Sequence, residues 1–318
     1  MDESEDPVQA AFGDSEDLYD VATWDVRTRL DRFAVSLYGW LLTARTAALV
    51  LTALTLFFGL FGLAIPVVAD EPVLGALGLL SIVPAVGLVT YLWHGDPTRR
   101  EPLEPIAVTF VLAVLFATFA AVLNSYFVGL FSLVPGMVLY FFFVVGPVEE
   151  TVKWLAVRIH AYRRPAFDTV VDGVVYGAVA GLGFAAIENL VYILGAYLEA
   201  GALSAPLQFE EAARTAFGRA FVGPGHVIYS AFAGYYLGLA KFNPGRRGPI
   251  VVKGLVIAAF IHGLYNTAVT YLPFTLVSFF GFVIVYDGLL LAILLRKVRR
   301  YRRYYDRATR RLSAESVD

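Results

Sequence analysis

The 318-residue chain contains no cysteine, which excludes disulfides, a thiolate nucleophile and cysteine-ligated zinc. Charge is scarce as well. Only 16% of residues are Asp, Glu, Lys or Arg, and the net charge of −2 is too small to indicate a partner. Histidine is limited to four positions, His94, His160, His226 and His262, so any metal would need imidazole and carboxylate ligands. HExxH, GxSxG, a P-loop and a Gly-rich nucleotide fingerprint are all missing, which removes the commoner hydrolase and kinase templates. No basic n-region leads into an early apolar run, so no signal peptide is expected. Neither an internal repeat nor a separate soluble domain is visible, and nothing points to a nucleic-acid partner.

What the chain does have is apolar length: 58% of its residues are hydrophobic. Repeated long apolar runs exceed what a soluble core needs. The expected fold is all-α, a polytopic membrane bundle of about eight transmembrane helices of roughly 20 residues each. The expected spans are 46–68, 73–93, 105–127, 131–156, 170–198, 222–241, 250–271 and 274–295. Residues 1–22 are acidic and read as a disordered tail. Residues 23–45 carry Arg27, Arg29, Arg32 and Arg45 among Leu, Phe and Trp, as an interfacial amphipathic segment does. Residues 46–296 form the membrane domain and 297–318 a basic tail. Alternate connections hold the base: Arg99 and Arg100, then Arg158, Arg163 and Arg164, then Lys241, Arg246, Arg247 and Lys253, then the C-terminal arginines. The intervening connections are nearly free of it, apart from Arg214 and Arg219. That asymmetry places both termini in the cytoplasm of an integral multi-pass protein. The longest outer connection, 199–221, reads as a short amphipathic helix on the outer surface.

Few polar groups remain inside the spans, and each needs a reason to be there, since an ionisable group in hydrocarbon costs roughly 2.5–3.5 kcal/mol on insertion scales. Gly146-Pro147-Val148-Glu149-Glu150-Thr151-Val152-Lys153 follows an apolar run with three consecutive phenylalanines. Glu149 and Lys153 are an i,i+4 pair on one helix face; Glu150 points about 100° away. The next span carries Glu188-Asn189 with Gly177, Gly181 and Gly183 upstream, small residues that let helices approach closely. His226 follows Gly223-Pro224-Gly225. His262 and Asn266 share a face at i,i+4. Each alone has a bland reading: an interfacial ion pair, a buried hydrogen-bonded carboxyl, a packing histidine. Asp287 reads either as a partner for a site residue or as a helix-packing hydrogen bond. Four helices each offering Glu or His at interior depth form a water- or metal-binding site if they converge.

Such a site supports amide hydrolysis without a nucleophilic side chain. Glu149 or Glu150 acts as general base on a water, with His226, His262 and Asn266 around it to donate to the developing oxyanion. In a metal version, His226, His262 and a carboxylate hold an ion with one position open for water. A proton- or cation-coupled transporter using the buried carboxylates, or a non-catalytic membrane scaffold, are the alternatives from other classes.

The ordered set Glu149-Glu150-x-x-Lys153, Phe184-x-x-x-Glu188-Asn189, His226 and His262-x-x-x-Asn266 resembles the motif series of the PrsW family of intramembrane proteases, relatives of the CAAX prenyl proteases and bacteriocin-processing enzymes. The resemblance covers roughly residues 131–271. It implies a membrane endopeptidase acting on a membrane-bound protein such as an anti-sigma factor. It also implies Glu149 as the water-activating glutamate, and Glu150, Glu188, His226 and His262 as catalytic or metal-binding partners. Asn266, Lys153 and Asn189 become supporting positions. Members are commonly labelled metalloproteases, while structural relatives have been read as metal-free glutamate enzymes. A divalent metal such as Zn2+ on His226, His262 and Glu188 is thus one of two versions that the resemblance implies. Oligomeric state is left open.

Overall fold

The computed structural model describes residues 8–9, 15–20, 22–62, 64–95, 100–131, 136–202 and 204–315. Most of the acidic tail expected at 1–22 lies outside them, as do Arg99 and the turn at 132–135. The described residues are helical, in the order α1 (Arg29–Phe61), α2 (Ala64–Asp70), α3 (Pro72–Ser81), α4 (Val83–His94), α5 (Leu103–Phe131), α6 (Met137–Tyr140), a π-helical stretch (Phe141–Val145), α7 (Gly146–Ile159), α8 (Val170–Glu199), α9 (Ala205–Lys241), α10 (Arg247–Tyr271) and α11 (Leu276–Glu315).

The chain divides into two units, Met1–Thr52 and Ala53–Asp318. In the first, Thr28 and Asp31 form a reciprocal cap at the start of α1: Asp31 N donates to Thr28 Oγ1 at 3.1 Å, and Thr28 N donates back to Asp31 Oδ2 at 2.5 Å. This satisfies backbone donors that the first turn leaves orphaned. α1 then runs 33 residues without interruption. The sequence suggested a boundary at Arg45, but nothing there caps or breaks a helix, so the interfacial segment and the first span are continuous.

In the second unit, α8 is the axis. By length and composition α1, α5, α8, α10 and α11 can each cross a bilayer, and α2–α3, bent by 105°, are apolar enough together to form a broken span or a re-entrant loop. The strongest apolar stretch of α8 is 94% buried. Its start is fixed by the same device as α1: Thr169 N donates to Asp172 Oδ2 at 2.7 Å, and Thr169 Oγ1 accepts from Asp172 N. α8 and α9 touch backbone to backbone. A Cβ added at Gly181 would lie 2.3 Å from the His226 carbonyl oxygen, and one at Gly173 2.2 Å from that of Gly234.

Two elements depart from the expected spans. The 73–93 span is split at Ile82 into α3 and α4, with Pro84 in the first turn of α4, where its missing N–H is harmless. Conversely, α9 passes straight through Pro224 as one 37-residue helix, joining the expected outer-surface helix to the expected sixth span. Within the fourth span, Pro147 has no N–H to give to the carbonyl four residues back, and the π-helical stretch lies immediately before it.

Candidate active site

The first two turns of α7 bring three ionisable side chains into the interior. Glu150 and Lys153 are 0% and 1% exposed, and Glu149 is 4% exposed. Charges buried this deeply persist only when paired and hydrogen-bonded. Lys153 pairs closely not with Glu149, its i+4 partner, but with Glu150: Nζ lies 2.7 Å from Glu150 Oε1 and 3.8 Å from Glu149 Oε2. Contacts from other helices decide this. His226 Nδ1 of α9 lies 3.0 Å from the ammonium, and the Phe184 ring of α8 has its centroid 4.3 Å away. Glu150 in turn accepts from Ser230 Oγ of α9 at 3.1 Å and from His262 Nδ1 of α10 at 3.0 Å.

The result is a continuous polar line across α8, α9, α7 and α10. Glu188 Oε2 lies 2.9 Å from His226 Nε2. The other ring nitrogen of His226 meets Lys153; Lys153 meets Glu150; Glu150 meets His262. His262 Nε2 then faces Glu149 Oε2 across 3.7 Å. Glu149 Oε1 accepts from Asn124 Nδ2 of α5 at 3.2 Å, whereas Glu149 Oε2 has no hydrogen-bond partner.

Glu149, Glu188, His226 and His262 open onto one cavity of about 570 Å³, with Asn266 also on its wall. The expected residues therefore converge, with Glu150 and Lys153 directly behind the wall. Asn189 is fully buried and reaches back, its Nδ2 3.0 Å from Ser81 Oγ of α3. Asp287 serves packing: Tyr229 donates to its Oδ1 at 3.1 Å, and the Tyr229 ring lies against His262, centroids 5.4 Å apart. His94 and His160 lie elsewhere, on Thr90 O and on Glu104 respectively.

Three contributors escaped the sequence reading. Arg219 sits on α9 and forms an ion pair with Glu188. It stands in a run of alternating charge and apolar residues that looks like a solvated helix face. Asn124 and Ser230 are small neutral polar residues of a kind common in spans; Ser230 shares the face of His226 at i,i+4, but nothing in the sequence pairs either residue with a glutamate.

Glu149, His226 and His262 form a buried group whose ligand atoms lie within 4.8 Å of one another and could hold a metal ion. Two imidazoles and a carboxylate are a donor set that suits a zinc-type ion. The fit is strongest between Glu149 and His262. With Nδ1 donating to Glu150, a neutral His262 presents its Nε2 lone pair to Glu149 Oε2, which has no hydrogen-bond partner; two electron-rich atoms so placed call for a proton or a cation between them. A carboxylate behind a histidine is also how metal-bound imidazoles are oriented. Glu188, expected as the third ligand, is not in the group; its carboxylate is held by Arg219 and His226.

Residues 101–292 match the sequence profile described as PrsW family intramembrane metalloprotease. Among similar proteins, "Protease PrsW" of Geobacillus kaustophilus (strain HTA426) is 30% identical over 187 residues, 58% of this chain and 76% of the relative. Its counterpart in Bacillus subtilis (strain 168) is 29% identical over 192 residues, 60% and 81% of the two chains. That of Clostridioides difficile (strain 630) is 28% identical over 195 residues, 60% and 77%. No solved structure matches.

Proposed function

Since the chain belongs to the PrsW family of intramembrane metalloproteases, we propose that its cavity hydrolyses a peptide bond of a membrane-embedded protein, with Glu149 as the residue that takes the proton from water. The chain is a multi-pass intramembrane protease; the roles of individual residues are the proposal. The observation that carries it is the Oε2 of Glu149, a residue of the cavity lining: this atom is buried, has no hydrogen-bond partner and lies 3.7 Å from His262 Nε2.

Asn124 fixes one oxygen of Glu149 and leaves the other as acceptor, so a water between Glu149 and His262 is oriented before substrate arrives. Glu149 takes the water proton as the hydroxide attacks the scissile carbonyl, and returns it to the departing amine. Asn266, on the cavity wall, is placed to donate to the negative charge that grows on the carbonyl oxygen. Glu150 and Lys153 hold the two histidines apart at fixed orientation, one by each. In a metal version, a divalent ion such as zinc held by Glu149, His226 and His262 would supply Lewis-acid polarisation of the water and the carbonyl in place of proton abstraction by Glu149, with His226 giving up Glu188 or Lys153 to bind it. The aromatic wall of the cavity, including Tyr140, Phe141 and Phe279, suits apolar side chains of a membrane segment. A regulatory membrane protein of the anti-sigma class is the kind of substrate that the family suggests.

The test is Glu149→Gln, which keeps shape and removes basicity. A library of tagged single-pass reporters with randomised juxtamembrane segments, co-expressed with the protein, should yield reporters that the wild type cuts. The variant should insert normally and cut none of them. Undiminished cleavage by Glu149→Gln removes Glu149 as the base.

A further inference from the structure

Arg219 lies on the cavity wall, seven residues before His226 and so on nearly the same face of α9, two turns away. It is the cation among the residues lining that cavity, since Lys153 is enclosed behind it. Two nitrogens of its fork are engaged on the α8 side. One Nη binds Glu188 Oε2, and Nε donates to Asn189 Oδ1 at 2.8 Å. The guanidinium lies over the Tyr192 ring, 4.4 Å from its centroid. The same Glu188 oxygen lies 2.9 Å from His226 Nε2. Arginine and imidazole therefore share one acceptor atom, and Asn189 ties the arrangement to α3 through Ser81.

We propose that Arg219 is a positioning residue of the protease: by pinning Glu188 it fixes the ring of His226 at the cavity wall. The inference rests on the hydrolytic reading above only for its kinetic arm. A carboxylate at this depth needs a counter-charge. Without Arg219, the nearest remaining cation is Lys153, which already joins His226 Nδ1 to Glu150. Glu188 would then turn toward Lys153 and release His226 Nε2. Lysine cannot replace the arginine fully, because one ammonium cannot reach Glu188 and Asn189 in the planar fork that the guanidinium makes. Among the described contacts none joins Arg219 to Glu149 or His262, and Glu188 is the residue that links it to His226.

Two measurements test this on the full-length protein. In the first, ring-nitrogen NMR of 15N-histidine-labelled protein in detergent, with the four histidines assigned by single substitution, compares wild type, Arg219→Gln, Arg219→Lys and Glu188→Gln. The His226 resonances should move in all three variants while those of His94 and His160 stay. The Arg219→Gln/Glu188→Gln double variant should match Glu188→Gln. Unmoved His226 resonances in Arg219→Gln overturn the proposal whether or not any substrate is found. In the second, with a reporter cut by the wild type, Arg219→Gln should lower kcat about 10- to 100-fold, as loss of a residue supporting a site ligand does. KM should stay within about twofold, with Arg219→Lys intermediate and little further loss in the Glu188→Gln background. A raised KM at unchanged kcat would make Arg219 a substrate contact instead, and multiplicative losses in the double variant would make the two residues independent. If Arg219→Gln fails to insert, Arg219→Lys carries both comparisons. Loss of all cleavage in the wild type would sink the protease assignment while leaving the NMR arm to decide this one.

Discussion

Lys153 occupies the middle of the polar line, and its removal separates stability from chemistry. Lys153→Met should strand Glu150 as a buried charge, at a cost of about 3–5 kcal/mol, read as a lowered SDS-unfolding midpoint. Glu150→Gln/Lys153→Met, which removes both charges, should recover much of that stability and none of the activity. The metal is decided at this scale too. Purified protein should carry close to one equivalent of a divalent ion, and His262→Ala should lose both ion and cleavage. Metal-free wild type that still cleaves would leave Glu149 working alone. Glu149, Glu150, Glu188, His226 and His262 were legible in the sequence because ionisable groups stand out against hydrocarbon-compatible surroundings. The partner of Lys153 was not. The i,i+4 rule describes one isolated helix, and here His226 and Phe184 from neighbouring helices draw the ammonium to the i−3 carboxylate. Arg219 was hidden because Glu210, Glu211 and Arg214 surround it with the pattern of an exposed face.

Among the elements, the α8–α9 contact sets the distance between Glu188 and His226, and glycine makes that contact possible. Gly181→Ala would drive a Cβ into the His226 carbonyl, so the two helices must separate. An ångström of displacement at a site can cost about 100-fold in rate, and this is the loss expected for Gly181→Ala when kcat is measured. Gly195→Ala, on the same helix with open space around it, should leave kcat unchanged. Equal effects of the two would show that helix propensity rather than close approach is at work. Element boundaries were harder to read than element existence. Proline marks the difficulty: near Ile82 it coincides with a break, whereas at Pro224 the helix continues. Arg219 binding to Glu188 and Asn189 keeps the turns before Pro224 docked on α8, and that long-range tie has no local signature.

For the whole molecule, orientation in the bilayer is the open quantity, and the missing cysteines make it measurable. Single cysteines can be introduced without background. Gly245→Cys, between α9 and α10, should be shielded from an impermeant maleimide in intact cells, and Leu272→Cys, between α10 and α11, should be labelled. The opposite pattern would invert the protein. The fold class was legible from apolar run lengths alone. The number of crossings was less so, because α7 and α9 trade apolar residues for the charges that the site needs.

The five-residue π-helical turn that precedes α7 holds one more residue per turn than the sequence around it would adopt by default. Deleting one of Phe141, Phe142 or Phe143 would let that turn relax to an ordinary helix, at the cost of rotating Met137 and Tyr140 by about 100° relative to Glu149. Such a shortened protein should be easier to make and slower to unfold, and inert. On that view the π-helical turn trades robustness for reactivity, as working enzymes do.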